Sequence, residues 1–114
     1  FRTPEDVRDE VGAPVIGHVP VIAGRAPDAG SPFAPAMCTV HAPKAHASEA
    51  FRLVRTALFF SARGGTLKVV QVTSAEQGDG KSTMSANLAV AIAQSGRRTL
   101  LIDADMRRPT IHRL

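Results

Sequence analysis

The sequence predicts an α/β fold built on a parallel sheet, and three observations carry that expectation. Residues 67–73 and Thr99–Ile102 are short runs rich in Val, Leu and Ile, too brief for stable helices and apolar enough for buried strands. Between them, Lys81–Gln94 is small and apolar, the composition of a helix buried between layers. Ser74–Gly80, with glycines at 78 and 80, joins the first strand to that helix. Strand, loop, helix and strand in this order make a right-handed βαβ unit with a parallel pair.

The loop specifies the kind of sheet. Ala75-x-x-x-x-Gly80-Lys81-Ser82 matches a phosphate-binding loop, with Ala75 where the commoner pattern has Gly. Glycines at 78 and 80 allow successive backbone N–H groups from Gly78 to Thr83 to face one anion, and the helix N-terminus adds its dipole. Gln77, Gly78, Asp79, Gly80, Lys81, Ser82 and Thr83 are therefore the expected nucleotide-binding residues. Lys81 is expected to reach the β- and γ-phosphates, Ser82 to offer a hydroxyl to magnesium, and Thr83 to meet the α-phosphate. The expected architecture is thus a P-loop NTPase-like parallel sheet of which only the first βαβ unit is present, and the expected cofactors are a nucleoside triphosphate and Mg²⁺.

The second strand ends in Asp103-Ala104-Asp105-Met106-Arg107. Alternation along a strand points Asp103 and Asp105 to one side, at the sheet mouth where ligands of parallel sheets sit. Asp103 is the expected partner of Ser82 in holding magnesium. Arg107 is a further candidate for stabilising charge on the transferred group, while a cap on the following turn is an alternative role for Asp105.

The remaining elements surround this unit. Thr3–Gly12 reads as a short helix: a cap, a Pro in the first turn, early acids and a closing Gly. Pro14–Ile22 is β-branched but bracketed by prolines, as in an edge strand or an extended segment docked on a neighbour. Residues 23–47 hold eight Ala, four Pro and two Gly without periodicity and read as a semi-rigid linker. From Ser48, taken as the cap, to about Arg63 the pattern is helical, with Arg63-Gly64-Gly65 as the stop. Phe51, Val54 and Leu58, widened by Ala50, Leu53, Ala57 and Phe60, form a stripe expected to pack on the sheet. Arg97 and Arg98 are expected near the negative end of the helix that closes at Gly96.

Composition sets limits. A doubly wound sheet needs on the order of 150 residues to close its core, so the 114 residues, opening at Phe1, read as a piece of a longer chain. One cysteine excludes an internal disulfide. No apolar run approaches the roughly 20 residues that span a bilayer, so these residues read as soluble. Residues 1–43 hold three Arg against five acids, and residues 44–114 hold eleven Lys or Arg against five, so the positive charge lies with the motifs. With five Phe and no Tyr or Trp, stacking platforms for nucleic acid are scarce, and no nucleic-acid partner is expected. Cys38-x-x-His41 with His46 has the spacing of half a zinc knuckle but lacks a fourth ligand, so linker residues are expected there.

Ser74–Thr83 joined to Leu100–Pro109 resembles the Walker A and Walker A′ motifs of the bacterial tyrosine kinases that accompany polysaccharide co-polymerases in capsule and exopolysaccharide export. Ser48–Thr56 is similar to that family's helix before the kinase core, whose E-x-x-R-x-x-R pattern falls here on Glu49, Arg52 and Arg55. Asp9–Pro20 looks like the cytoplasmic tail that follows the co-polymerase's second membrane helix. The resemblance implies autophosphorylation of a neighbouring subunit's tyrosine by ATP bound at Lys81, Ser82 and Thr83, with Lys81, Asp103 and Asp105 as the catalytic residues and Asp103 or Asp105 orienting or deprotonating the hydroxyl. It implies a ring-like oligomer contacted through Glu49, Arg52 and Arg55, protein tyrosine substrates, and a place on the cytoplasmic face of the bacterial inner membrane. It divides the chain into a juxtamembrane tail of the co-polymerase region (1–22), the linker (23–47) and the first part of a P-loop kinase domain (48–114). Partitioning and site-placement ATPases of the ParA and MinD type share the paired motifs and are the alternative. Their loop carries a signature Lys five residues before the catalytic one, and here that position is Glu76.

Overall fold

The computed structural model describes residues 3–22, 34, 36–62 and 67–114. Helix α1 spans Pro4–Val11. Its Thr3 Oγ1 accepts from Asp6 N (3.2 Å) while Asp6 Oδ2 accepts from Thr3 N (3.0 Å), a reciprocal capping box that satisfies two otherwise orphaned donors. Gly12, at φ 69°, closes it with a bond to the Arg8 carbonyl, as the sequence predicted.

Three helices form the core: α2, Cys38–His41; α3, His46–Ser61; and α4, Lys81–Ala93. Cys38, Phe51, Val54, Leu88 and Ala91 are buried together, with Val19, Ile22, Leu58 and Met84 packed around them. The Phe51–Val54–Leu58 stripe of α3 therefore packs on α4 and α2 rather than on a sheet, and Leu53 and Phe60 lie exposed. Residues 14–22 form neither helix nor strand, and Gly17 lies against Val54 of α3. This is the docked alternative for that segment, with no strand ladder.

Four expectations are corrected. First, Ser48 does not cap α3, which begins two residues earlier behind Ala45. Ser48 is buried instead, sharing its single hydroxyl proton between the carbonyls of Cys38 (2.9 Å) and Ala42 (2.7 Å), so it ties α2 to α3. The Arg63–Gly65 stop lies outside the described residues.

Second, the Ala/Pro stretch is not a bare linker at its C-terminal end, because Met37, Cys38 and Thr39 are buried. Asn87, fully buried on α4, is the reason. Its Oδ1 accepts from Thr39 N (3.0 Å), Thr39 Oγ1 (2.9 Å) and Cys38 Sγ (3.4 Å). Its Nδ2 donates to the carbonyls of Ala36 (2.9 Å) and Thr83 (3.0 Å). One carboxamide thus meets the backbone demands that a short irregular segment brings into a core. Cys38 is a core residue here, not half of a metal knuckle, and residues 23–33 lie outside the described residues.

Third, 67–73 and 99–102 form neither helix nor strand and pair with no strand among the described residues. Val69, Leu100 and Ile102 are 84%, 83% and 71% exposed, the reverse of what buried strands show. A strand exists only where a neighbour completes its ladder, and here no described segment supplies one. Within α4, Ala86, Asn87, Leu88 and Ala91 are buried and the other residues from Lys81 to Ile92 are half-buried.

Fourth, Arg97 does not serve the end of α4 but lies over the Phe59 ring, 4.2 Å from its centroid. Arg55 takes that place, its guanidinium donating to the Ala91 carbonyl at 2.9 Å.

Candidate functional site

The loop before α4 is folded by its own side chains. Ser74 Oγ donates to the Glu76 carbonyl (2.9 Å), and the Asp79 carboxylate accepts from Glu76 N (2.9 Å). Gly78 and Gly80 stand at φ 97° and 83°, a region open to glycine and costly for a side chain. A Cβ at either would meet nothing within 4 Å, so backbone angle rather than crowding selects glycine. Gly80 is the N-cap of α4, and no side chain caps that end. The first-turn N–H groups of Lys81, Ser82 and Thr83 thus leave a positive helix end for an anion.

Asp103 and Asp105 reach this helix end from the other side. Lys81 Nζ lies 3.8 Å from Asp105 Oδ2, with both side chains about a third exposed. An open groove of about 450 Å³ runs between Ser74–Gln77 and Lys81 on one wall and Asp105, Arg107 and Arg108 on the other. Asp105 Oδ1 accepts from Arg107 N (3.1 Å) and Arg108 N (2.9 Å), so this carboxylate does organise the following turn while facing Lys81.

Asp103 is held more fully. Its Oδ1 accepts from Asp105 N (3.1 Å), and its Oδ2 from Thr110 N (2.9 Å) and Ile111 N (3.0 Å), ahead of a 3₁₀ turn at Ile111–Arg113. Thr110 Oγ1 then donates to Ser82 Oγ at 2.9 Å. Ser82 and Asp103 are therefore joined through one residue, Thr110.

These contacts set the charge state. Asp103 is held below the usual aspartate value of 3.8, chiefly by the Ile111 N–H, with help from the N–H groups of Asp105 and Thr110 and from His112. Asp105 is lowered as well, first by the Arg108 N–H, then by that of Arg107 and by the Lys81 ammonium, against some desolvation and the charge of Asp103. Both are anionic at neutral pH. Carboxylates stabilised in this way suit holding a cation or orienting a hydroxyl better than abstracting a proton.

The donor set fits magnesium. Ser82 and Asp103 offer hard oxygen atoms, and Mg²⁺ is commonly held by one or two protein oxygens together with phosphates and water. Among the described residues there is no cluster of three or more His, Cys, Asp or Glu side chains that would instead make an all-protein cage.

Glu49 and Arg52 form an ion pair at 3.0 Å, and Arg52 also donates to the Pro43 carbonyl. With Arg55 on Ala91, two of the three residues expected at an oligomer contact thus also hold backbone groups of their own chain. Sequence reasoning passed over Thr110 and Asn87. Asn87 left a signal, as an amide within an otherwise small, apolar helical run; Thr110, in a polar stretch after Pro109, left none.

A family model described as the CobQ/CobB/MinD/ParA nucleotide binding domain matches residues 70–112. Tyrosine-protein kinase YwqD of Bacillus subtilis (strain 168) is 51% identical over 70 residues, covering 61% of this chain and 30% of YwqD. The succinoglycan biosynthesis transport protein ExoP of Rhizobium meliloti (strain 1021) is 32% identical over 130 residues, covering 96% of this chain and 16% of ExoP. The crystal structure of the chimerical protein CapA2B2 superposes with a TM-score of 0.77 at 36% identity, over 96% of this chain and 43% of that one. The chain spans less than a third of the length of these curated relatives. The match over residues 70–112 and the superposition support a P-loop NTPase-like fold, and the chain is a homologue of bacterial proteins named tyrosine-protein kinases.

Proposed function

We propose that this chain is the ATP-binding part of a bacterial protein-tyrosine autokinase that regulates the chain length and export of capsular or exopolysaccharide. The observation that carries the reading is the convergence at the start of α4. There an uncapped helix end and Lys81 face Asp105, while Ser82 is linked through Thr110 to Asp103. The kinase relatives, rather than partitioning ATPases, favour tyrosine as the acceptor, and Glu76 stands where the partitioning class has its signature Lys.

The backbone N–H groups from Gly78 to Thr83 bind the phosphate tail of ATP, with Gln77 and Asp79 shaping the loop. Lys81 exchanges its contact with Asp105 for the β- and γ-phosphates and steadies the charge that develops between them. Ser82 and Asp103 hold magnesium, which when bound neutralises the phosphoryl oxygens. Asp105 orients the attacking hydroxyl, and Arg107 balances charge on the transferred group. The sequence contains no Tyr, so the acceptor belongs to residues beyond these, on a neighbouring subunit or another protein. The exposed segments 67–73 and 99–102 become strands of the parallel sheet when neighbouring strands complete their ladders. Glu49, Arg52 and Arg55 contribute to a ring of subunits, next to a membrane co-polymerase region on the cytoplasmic face.

Lys81→Met in the full-length protein is expected to abolish ATP-dependent phosphotyrosine, read by anti-phosphotyrosine blot. Unchanged labelling would sink the reading.

A further inference from the structure

Thr110 makes two contacts to the residues proposed to hold magnesium, and no role has been given to it so far. Its backbone N–H binds Asp103 Oδ2 at 2.9 Å, and its hydroxyl donates to Ser82 Oγ at 2.9 Å. Ser82 is in the first turn of α4, whereas Asp103 follows that helix by ten residues in sequence. Among the described contacts, the step from one to the other runs through Thr110. We infer that Thr110 is a positioning residue that holds the Ser82 hydroxyl and the Asp103 carboxylate in register for a divalent cation. The inference rests on the nucleotide-binding reading above.

The chemistry supports this role over a purely structural one. A serine hydroxyl has one proton and two lone pairs, and free rotation about χ1 would let it point away from the site. Accepting from Thr110 uses one lone pair and fixes the rotamer, leaving the other lone pair and the proton for ligands. The same residue's N–H, with that of Ile111, occupies Asp103 Oδ2 and keeps the carboxylate from turning. Partners that orient metal ligands in this way typically influence metal affinity by about 10–100-fold. Thr110 is half-buried and the contact is to a neutral hydroxyl, so the lower end of that range applies.

The test compares ADP affinity of the full-length protein by calorimetry in MgCl₂ and in EDTA, for the unsubstituted protein, Thr110→Val and Thr110→Ser. Thr110→Val keeps the shape and the backbone N–H but lacks the hydroxyl. It should lose about 10-fold of the Mg²⁺-dependent gain in ADP affinity, with affinity in EDTA unchanged, and Thr110→Ser should retain the gain. An undiminished Mg²⁺ gain in Thr110→Val overturns the inference. So does an equal loss in MgCl₂ and EDTA, which would mark a structural role, or a Thr110→Ser variant as impaired as Thr110→Val. If the unsubstituted protein binds no ADP in either condition, the nucleotide-binding reading falls along with the inference.

Discussion

Gly17 and Val54 approach so closely that a β-carbon on the glycine would stand 2.6 Å from Val54 Cγ2. The segment before the Ala/Pro stretch is thereby seated on α3, against a β-branched side chain that is itself buried and has little rotamer freedom.

Gly17→Ala should therefore destabilise the fold by about 1–3 kcal/mol through overpacking. Combining it with Val54→Ala should cost less than the two single changes added together, because the second removes the obstructing methyl. Chemical denaturation of the three variants measures this, and strict additivity would show that Gly17 and Val54 do not press on each other.

Asn87 offers a second test of the core. Asn87→Leu strands the Thr39 N–H and the Ala36 carbonyl in an apolar setting, with an expected cost of about 2–4 kcal/mol. The loss should appear as a lower denaturation midpoint and as faster amide exchange at Thr39.

The pH dependence follows from the two aspartates. Both carboxyls titrate below 3.8 when folded, so the stabilisation they give is complete above the unfolded value and is lost as pH falls through the folded one. The turn from Arg107 to Ile111 should stay closed from neutral pH down to about pH 4 and loosen below that. Amide exchange at Thr110 and Ile111 reports it, and uniform protection down to pH 2 would contradict the assignment.

For Glu49, Arg52 and Arg55, the contacts within the chain separate two effects. Arg55→Ala removes the bond to the Ala91 carbonyl and should lower stability by about 1–2 kcal/mol. Glu49→Ala breaks only an exposed pair, worth a few tenths of a kcal/mol. If these residues form the proposed subunit contact, Glu49→Ala should still shift the oligomer toward monomer in light scattering. A ring that persists in the triple alanine variant would remove that contact from consideration.

What could be read from the sequence divides along physical lines. α1 was legible because Thr3, Pro4 and Gly12 act locally, each on backbone groups within one turn. The start of α4 at Lys81 was legible for the same reason, since Gly80 and the loop glycines declare their own backbone angles. α2 was not, because four residues without periodicity owe their place to Asn87, some fifty positions away. Ser48 was misread because a hydroxyl that suits a cap equally suits a distant carbonyl. The apolar character of 67–73 and 99–102 was plain, but a ladder belongs to pairs of segments and not to one. At the site, the nearness of Lys81 to Asp105 was legible from the phosphate-loop pattern and the acids that follow the next apolar run. Thr110 escaped notice because half of its contribution comes from a main-chain N–H, which every residue except proline possesses.

The Asn87 carboxamide grips the carbonyl of Ala36 with the same nitrogen that grips the carbonyl of Thr83. A displacement of Ala36 would thus be felt, within one side chain's width, at the turn of helix on which Lys81 and Ser82 are mounted. Residues 36–39, slack by composition, are fastened to the end of α4 that carries Lys81 and Ser82.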